Sequence, residues 1–375
     1  MSTDHLPADQ APGAPHPRET ARLFGQDAAQ DDFLRAFTSD RLHHGWLLTG
    51  PRGVGKATLA WRIARFLLAT PPPQNDGMSG APLGPTTLDI DPDHPVAHRV
   101  QAGADPGLAT ITRTVNDKTD RMREEIVVDD IRRLNRFFGL SATDGGRRVV
   151  IVDAADEMNT SAANALLKML EEPPARTTLL LISHQPSRLL PTIRSRCRTL
   201  RLAPLNSAHM QAALAQTGVV LPDTQQQTEY LAALAAGSVG AALRLINQGG
   251  LQIYAELIAI LESLPRLDRR RALALAEAAA QKGASDKFEL LLNLIDIVMA
   301  RLARTGATGS PPHPEAASGE SRTLARLAAN PAMGRAWAEI AGDITARTRH
   351  GKAVNLDPAS LVLDTVFKMQ ETAAG

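Results

Sequence analysis

The chain is expected to form a doubly wound α/β domain followed by an all-helical region. Three observations carry that expectation. Trp46–Thr49 has strand character and runs through a glycine-rich turn into a helix with apolar positions Leu59, Ile63, Phe66 and Leu67. Val149–Asp153 opens with four β-branched residues in a row, the pattern of a strand buried on both faces of a parallel sheet. Strands and helices alternate as far as Pro204, and no strand signal follows.

The bulk composition limits what such a chain can be. At 375 residues it can hold two or three domains with ample cores. A net charge of +1 supplies no whole-domain field for nucleic acid, so any such contact is a local patch. Aromatic residues are only 3%, too few for single-strand stacking platforms. The lone cysteine, Cys197, excludes an internal disulfide framework and a cysteine-based zinc site. With no long apolar run and a Pro- and Asp-containing start, the protein is expected to be soluble and cytoplasmic.

Residues 1–18 are Pro-rich and polar and are expected to be a disordered tail. From Leu23 the spacing of Ala29, Phe33, Ala36 and Phe37 predicts a helix that ends before His43-His44-Gly45. The central strand, loop and helix stop at Thr70-Pro71-Pro72-Pro73, and residues 71–108 read as an irregular insertion of unassigned function. His94 and His98 in it have metal-binding spacing, but Pro95 between them and the lack of a third ligand favour solvated loop residues. Thr110–Val115 alternates as a strand does. Asp129 or Asp130 can cap a helix with Ile131, Leu134 and Phe138 inward, and Gly145-Gly146 turns the chain into Val149–Asp153. Asn159 or Thr160 caps a helix with Ala163, Leu166, Leu167 and Leu170 on one face, stopped by Pro173-Pro174. Thr177–Ser183 and Thr199–Leu202 are further strands, with a helix around Leu189–Arg194 between them. The α/β domain therefore spans about 19–202. Residues 203–249 form a small helical unit and 250–375 a larger one, with a flexible segment at 305–321.

Three stretches bear chemistry. Gly50-Pro51-Arg52-Gly53-Val54-Gly55-Lys56 matches G-x-x-x-x-G-K, in which glycines turn backbone N–H groups inward and a helix N-terminus adds positive charge. Lys56 would reach the β- and γ-phosphates. The next position should carry the hydroxyl that holds Mg²⁺; it is Ala57, and Thr58 points about 100° away around the helix. Asp153 ends its strand where a second metal-holding carboxylate belongs, yet the water-activating Glu expected after it is Ala154. Asp156 and Glu157 are expected to begin the next helix and favour its dipole. Arg196, within Ser195-Arg196-Cys197, is either one of a surface cluster with Arg194, Arg198 and Arg201 or an arginine finger for a neighbouring subunit's ATP.

Together, GPRGVGKAT, the stretch NALLKMLEEPP that contains Leu170, Glu171, Glu172, Pro173 and Pro174, and Ser195-Arg196-Cys197 resemble the AAA+ clamp-loader subunits of bacterial DNA polymerase III. HHGWLL before the loop and LFGQ at 23–26 fit as well. Damaged ATPase motifs beside an intact SRC are similar to the delta-prime branch of that family. The resemblance implies an AAA+ core, a helical lid at 203–249 and a helical collar at 250–375. It also implies a hetero-pentameric ring with gamma/tau and delta subunits, acting on a sliding clamp and primer-template DNA. In that setting Arg196 would serve an adjacent gamma or tau ATP site. The family's sensor of the γ-phosphate is an Arg where this chain has Gly240, and Ser183 and His184 stand where a polar nucleotide sensor is usual. Many relatives carry a four-cysteine zinc module in the insertion; none is possible in a cysteine-free 71–108. ATP or ADP bound without hydrolysis is expected, and no metal. An active gamma/tau-type motor or other AAA+ DNA motor is the nearest rival, opposed by Ala57, Ala154 and Gly240. A small-molecule P-loop kinase is a further one, opposed by the roughly 170 C-terminal residues of helix.

Overall fold

The computed structural model describes residues 7–20, 22–39, 41–70, 85–116, 118–139 and 146–375. Residues 71–84 of the cysteine-free insertion, with the prolines at 71–73, and Gly145 of the expected turn lie outside them. Two compact units divide the chain: residues 1–219 with 237–240, and residues 220–236 with 241–375. The expected lid, 203–249, is thus shared between the two units.

The first unit is built on a five-stranded parallel sheet. In chain order its elements are α1 (Asp27–Thr38), β1 (Gly45–Thr49), α2 (Lys56–Ala69), α3 (Pro95–Gln101) and β2 (Leu108–Ile111). A two-stranded hairpin of β3 (Val115–Asn116) and β4 (Arg121–Met122) follows, then α4 (Val128–Gly139), β5 (Arg148–Asp153) and α5 (Thr160–Glu171). β6 (Thr177–Ser183), α6 (Pro191–Ser195), β7 (Arg198–Arg201) and α7 (Ser207–Ala215) complete the unit. The strand order is β2-β5-β6-β1-β7, so the first strand lies inside the sheet between β6 and β7. All of β1 and β6 and the middle of β5 are buried, which is why these strands read as continuous apolar runs. Register places Thr49 beside Ser183 and Asp153 beside Ile182, so three strand ends open on one edge. In open α/β sheets this carboxyl edge is where ligands bind.

α4, α5 and α6 cover one face through Ile131, Leu134, Leu166, Leu170 and Ile193. Phe138, expected inward with them, is only partly buried against this core. On α2, Leu59, Ile63, Phe66 and Leu67 are buried as their spacing requires.

Four expectations need correction. Of the tail at 1–18, expected disordered, residues 7–18 are described, and this part carries the start of a 3-10 turn (Pro17–Glu19) and a buried His16 that meets the Trp61 ring edge-on and pairs with Asp9 at 3.1 Å. Composition missed this because the segment is held by docking onto α2, not by its own propensity. His94 and His98 are not on a loop: Pro95 is the first residue of α3, where its missing N–H costs nothing, and His94 caps that helix by accepting from Val96. Asp156 and Glu157 do not begin a helix; they lie in a 3-10 turn, and α5 starts at Thr160 with Asn159 as its cap. Residues 305–321, expected flexible, are pinned in the second unit as described next.

That unit contains α8 (Gln225–Ala235), most of α9 (Val239–Asn247), α10 (Gly250–Ser263), α11 (Arg269–Ala280), α12 (Ser285–Thr308), α13 (Glu320–Leu327), α14 (Pro331–Ala353) and α15 (Pro358–Ala374). α12 runs on to Thr308, and the chain then returns to bring Glu320, 1% exposed, against Arg301 and Tyr254. Arg301 holds this carboxylate at 2.7 and 2.9 Å, and the Tyr254 hydroxyl donates to it at 2.6 Å. α12 and α14 cross where Gly306 meets Gly334, too close for a Cβ on either. Leu290, Leu291, Leu294 and Val298 of α12 are buried within the unit itself.

Candidate functional site

The phosphate loop lies where expected, between the end of β1 and the start of α2. Gly55 caps the helix in the left-handed region (φ 100°), which favours glycine, and Lys56 opens it. The Lys56 side chain is buried and turns back onto its own loop, 2.7 Å from the Gly50 carbonyl and in hydrogen-bond contact with that of Pro51. Burial lowers its pKa to about 8, partly offset by Asp153 and Asp156. Ala57 offers no hydroxyl beside it.

The far side of the loop is closed by residues 237–240. Ser238 Oγ donates to the Arg52 carbonyl at 2.8 Å, and the Gly240 amide donates to the Gly53 carbonyl at 3.2 Å. A Cβ on Gly53 would come within 2.9 Å of the Gly240 Cα. Gly240 therefore stands against the phosphate loop itself, where the resemblance places a γ-phosphate-sensing Arg, and contributes only backbone.

Asp153 ends β5 at the same edge. Burial raises its pKa to about 7, with the negative charges of Asp9 and Glu157 adding to the effect and Lys56 and Arg52 opposing it. Ala154 follows and is buried, so no carboxylate stands there to activate water. The two acidic residues beyond serve the scaffold. Asp156 accepts the His184 and Gln185 amides, both at 3.0 Å, and so fixes the turn after β6. Glu157 binds Arg52 of the loop at 2.8 Å and Arg113 at 2.8 Å. Ser183 is fully buried and its Oγ has no hydrogen-bond partner among the described residues; His184 is kept neutral, its pKa lowered to about 4 by burial and by Lys56 and Arg52.

A residue that periodicity missed ties these parts together. Gln26 is buried, donates to the carbonyls of Val54 at 3.1 Å and Ala203 at 2.8 Å, and accepts the Ala203 amide at 3.2 Å. The LFGQ stretch held the signal, a Gln beside a Gly ahead of a helix, but nothing local says which loops it reaches.

The SRC stretch stands apart from this loop. Cys197 packs against the α5 and α6 core, and burial pushes its thiol up to about 12. Ser195 Oγ donates to the Thr192 carbonyl at 3.1 Å. Arg196 keeps its guanidinium at the surface, bound to Glu171 of the LEEPP stretch at 3.0 Å and to the Thr192 carbonyl at 3.1 Å. Leu170 belongs to the core, while Glu171 and Glu172 are exposed and Pro173 and Pro174 end α5 half-buried. Of the neighbouring arginines, Arg198 stacks over Trp46 at 5.2 Å, and Arg194 and Arg201 are exposed. Among the described residues no cluster of His, Cys, Asp and Glu could hold a metal ion, and no helix is long and apolar enough to cross a membrane.

The chain is similar to known proteins. A family described as "DNA polymerase III, delta subunit" matches residues 25–206. DNA polymerase III subunit delta' of Pseudomonas aeruginosa is 39% identical over 216 residues, covering 57% of this chain and 59% of that protein. The delta' subunit of Escherichia coli is 33% identical over 219 residues, covering 58% of each. A gamma/tau subunit from Mycobacterium bovis is 30% identical over 218 residues, 55% of this chain and 33% of that one. The alignments thus span less than two thirds of the length of the delta' relatives. A solved gamma subunit-related protein from Thermotoga maritima aligns with 91% of this chain and 100% of its own at 18% identity, with a TM-score of 0.38. The glycine loop, LEEPP and SRC all lie inside the matched span, so that residues 25–206 resemble the family described as DNA polymerase III, delta subunit.

Proposed function

We propose that this protein acts in DNA replication as a delta'-type subunit of the DNA polymerase III clamp loader, and that it does not hydrolyse ATP itself. The observation that carries the reading is the state of the phosphate loop. Lys56 is satisfied by the loop's own carbonyls, the metal hydroxyl is replaced by Ala57, and the water-activating position is Ala154. Phosphoryl transfer depends almost wholly on positioning and charge stabilisation, so a site without these groups is not a catalyst. ATP or ADP bound without turnover is compatible with Gly50, Gly53, Gly55 and Lys56.

In this reading the chain works as a subunit of the polymerase III holoenzyme in the cytoplasm, in a hetero-pentameric ring with gamma/tau and delta subunits. Through the ring it reaches the sliding clamp and primed DNA. Arg196 is its contribution to chemistry, an arginine finger for a neighbour's γ-phosphate. The surface guanidinium beside a half-buried Cys197 supports this assignment: one residue of the stretch anchors the turn while its neighbour stays at the surface.

The test is Arg196→Ala in the reconstituted loader. Assembly and the isolated chain's Tm should stay near wild type, since an exposed Arg contributes about 0.5 kcal/mol or less. Clamp-dependent ATP turnover should fall, by up to about 10³-fold at the affected site where chemistry limits the rate. Arg196→Lys should rescue poorly, because an ammonium lacks the planar fork. Arg201→Ala should leave turnover unchanged. Equal losses from Arg196→Ala and Arg201→Ala, or a loss of stability without a loss of turnover, would overturn the assignment.

A further inference from the structure

Arg196 is not extended towards solvent. Its guanidinium folds back on its own chain, NH2 against the Glu171 carboxylate at 3.0 Å and NH1 against the Thr192 carbonyl at 3.1 Å. The two residues come from different elements, the last turn of α5 and the turn after α6, and those elements are locked together. Gly45, at the start of β1, is wedged between them: a Cβ there would lie 2.9 Å from Leu170 Cδ2, 3.1 Å from the Arg196 carbonyl and 3.3 Å from Cys197 Sγ. His44 adds a hydrogen bond to the Leu170 carbonyl at 2.9 Å. The backbone spacing of Glu171 and Arg196 is therefore set by the core, and only the two side chains remain free to part.

We propose that Glu171 is a positioning residue that restrains Arg196 in a resting rotamer, so that the finger engages a neighbour's γ-phosphate only by displacing this carboxylate. The proposal rests on the finger reading of Arg196. A charge pair this exposed is weak, in the range that a multiply charged phosphate at close quarters overcomes. Glu171 thus acts as a threshold: it withholds the guanidinium from a misaligned or empty interface and yields to an aligned triphosphate. Thr192 adds a neutral acceptor that helps define the resting rotamer without opposing release strongly.

Two measurements on the full chain test this. In the isolated protein, Glu171→Gln should shift the Arg196 side-chain Nε–H resonance, assigned by its loss in Arg196→Lys, and leave that of Arg198 in place. An unmoved Arg196 resonance means that no restraint exists and overturns the inference, whatever Arg196 does in the complex. In the reconstituted loader with clamp, primed DNA and saturating ATP, Glu171→Gln should raise the single-turnover hydrolysis rate roughly two- to five-fold, the scale of an exposed charge pair. In an Arg196→Ala background the same substitution should change nothing. A fall in rate would make Glu171 an aid to engagement and overturn the restraint. An equal rise in the Arg196→Ala background would show that it acts elsewhere. If Arg196→Ala itself leaves the rate untouched, the finger reading fails and takes the restraint with it, an outcome separate from loss of the Glu171 effect alone.

Discussion

Glu157 binds Arg52 of the phosphate loop at 2.8 Å while its other carboxylate oxygen takes Arg113 at 2.8 Å. An acidic residue of the turn after β5 thereby neutralises a cation at the rim of the loop. With Lys56 held by the Gly50 and Pro51 carbonyls, both basic side chains of the loop are already engaged within the chain. An incoming phosphate must compete for each. The isolated protein should therefore hydrolyse ATP at background rate, and calorimetry should find any nucleotide binding little changed by Mg²⁺. Turnover stimulated by DNA or clamp and abolished by Lys56→Ala would refute this.

The pKa of Lys56, lowered to about 8, gives such binding a pH signature. A bound phosphate favours the charged ammonium, so binding takes up a proton above about pH 8 and affinity falls as pH rises. It should fall by up to about tenfold per pH unit there, and stay flat through this group at pH 6 to 7. A flat profile to pH 9 would mean that Lys56 does not meet the ligand.

Asp153 predicts a pH-dependent stability of definite sign. Its folded pKa is raised to about 7 from 3.8, so between these values the folded state holds more protons than the unfolded one. Stability through this group is greatest below about pH 4 and is lost as pH rises towards 7. Asp153→Asn should accordingly raise the unfolding free energy at pH 8, by up to about 4 kcal/mol, and change it little at pH 4. Denaturant unfolding of both proteins at the two pH values decides the matter.

Gln26→Ala would strand the buried Val54 carbonyl and remove two bonds to the backbone of Ala203, an exposed residue. The orphaned Val54 carbonyl costs about 1–3 kcal/mol, so a loss of roughly 2 kcal/mol is expected in urea unfolding. Gln26→Glu should fare no better, because a carboxylate cannot donate to the two carbonyls.

In the helical unit, Leu290, Leu291, Leu294 and Val298 of α12 belong to that unit's own core, while Leu292 and Ile297 stay half-buried. Leu273 on α11 and Phe367 on α15 are instead 49% and 47% exposed. If residues 250–375 serve as a collar, Phe367→Glu should weaken ring assembly in analytical ultracentrifugation. The monomer's stability should stay within about 0.5 kcal/mol of wild type. Unimpaired assembly, for it and for Leu273→Glu, would place the contacts elsewhere.

What could be read from the chain and what could not follow physical lines. β1, β5 and β6 were legible because a strand buried on both faces must be apolar throughout. Helices α1, α2, α4 and α5 were legible from their 3.6-residue spacing, whereas the short α3 was not. The loop residues were legible because phosphate binding needs glycines and a lysine at fixed intervals. Side-chain partners separated by long stretches were not: neither the Arg52–Glu157 pair, 105 residues apart, nor the Gln26–Ala203 bonds, 177 apart, leave a local trace. The segments at 7–20 and 309–321 look like loops by composition. They are held by His16 and by Glu320, whose burial depends on partners elsewhere in the chain.

The chain's single thiol lies against the α5–α6 core with its pKa pushed up to about 12, so at neutral pH the reactive thiolate form is present at only a trace. Maleimides and iodoacetamides should leave the native protein nearly untouched. The wild-type chain is in effect a ready cysteine-silent background. A cysteine placed at Phe367 or Glu171 would be the one site to accept a fluorophore or a spin label, and distances within an assembled complex could be measured without first removing a native residue.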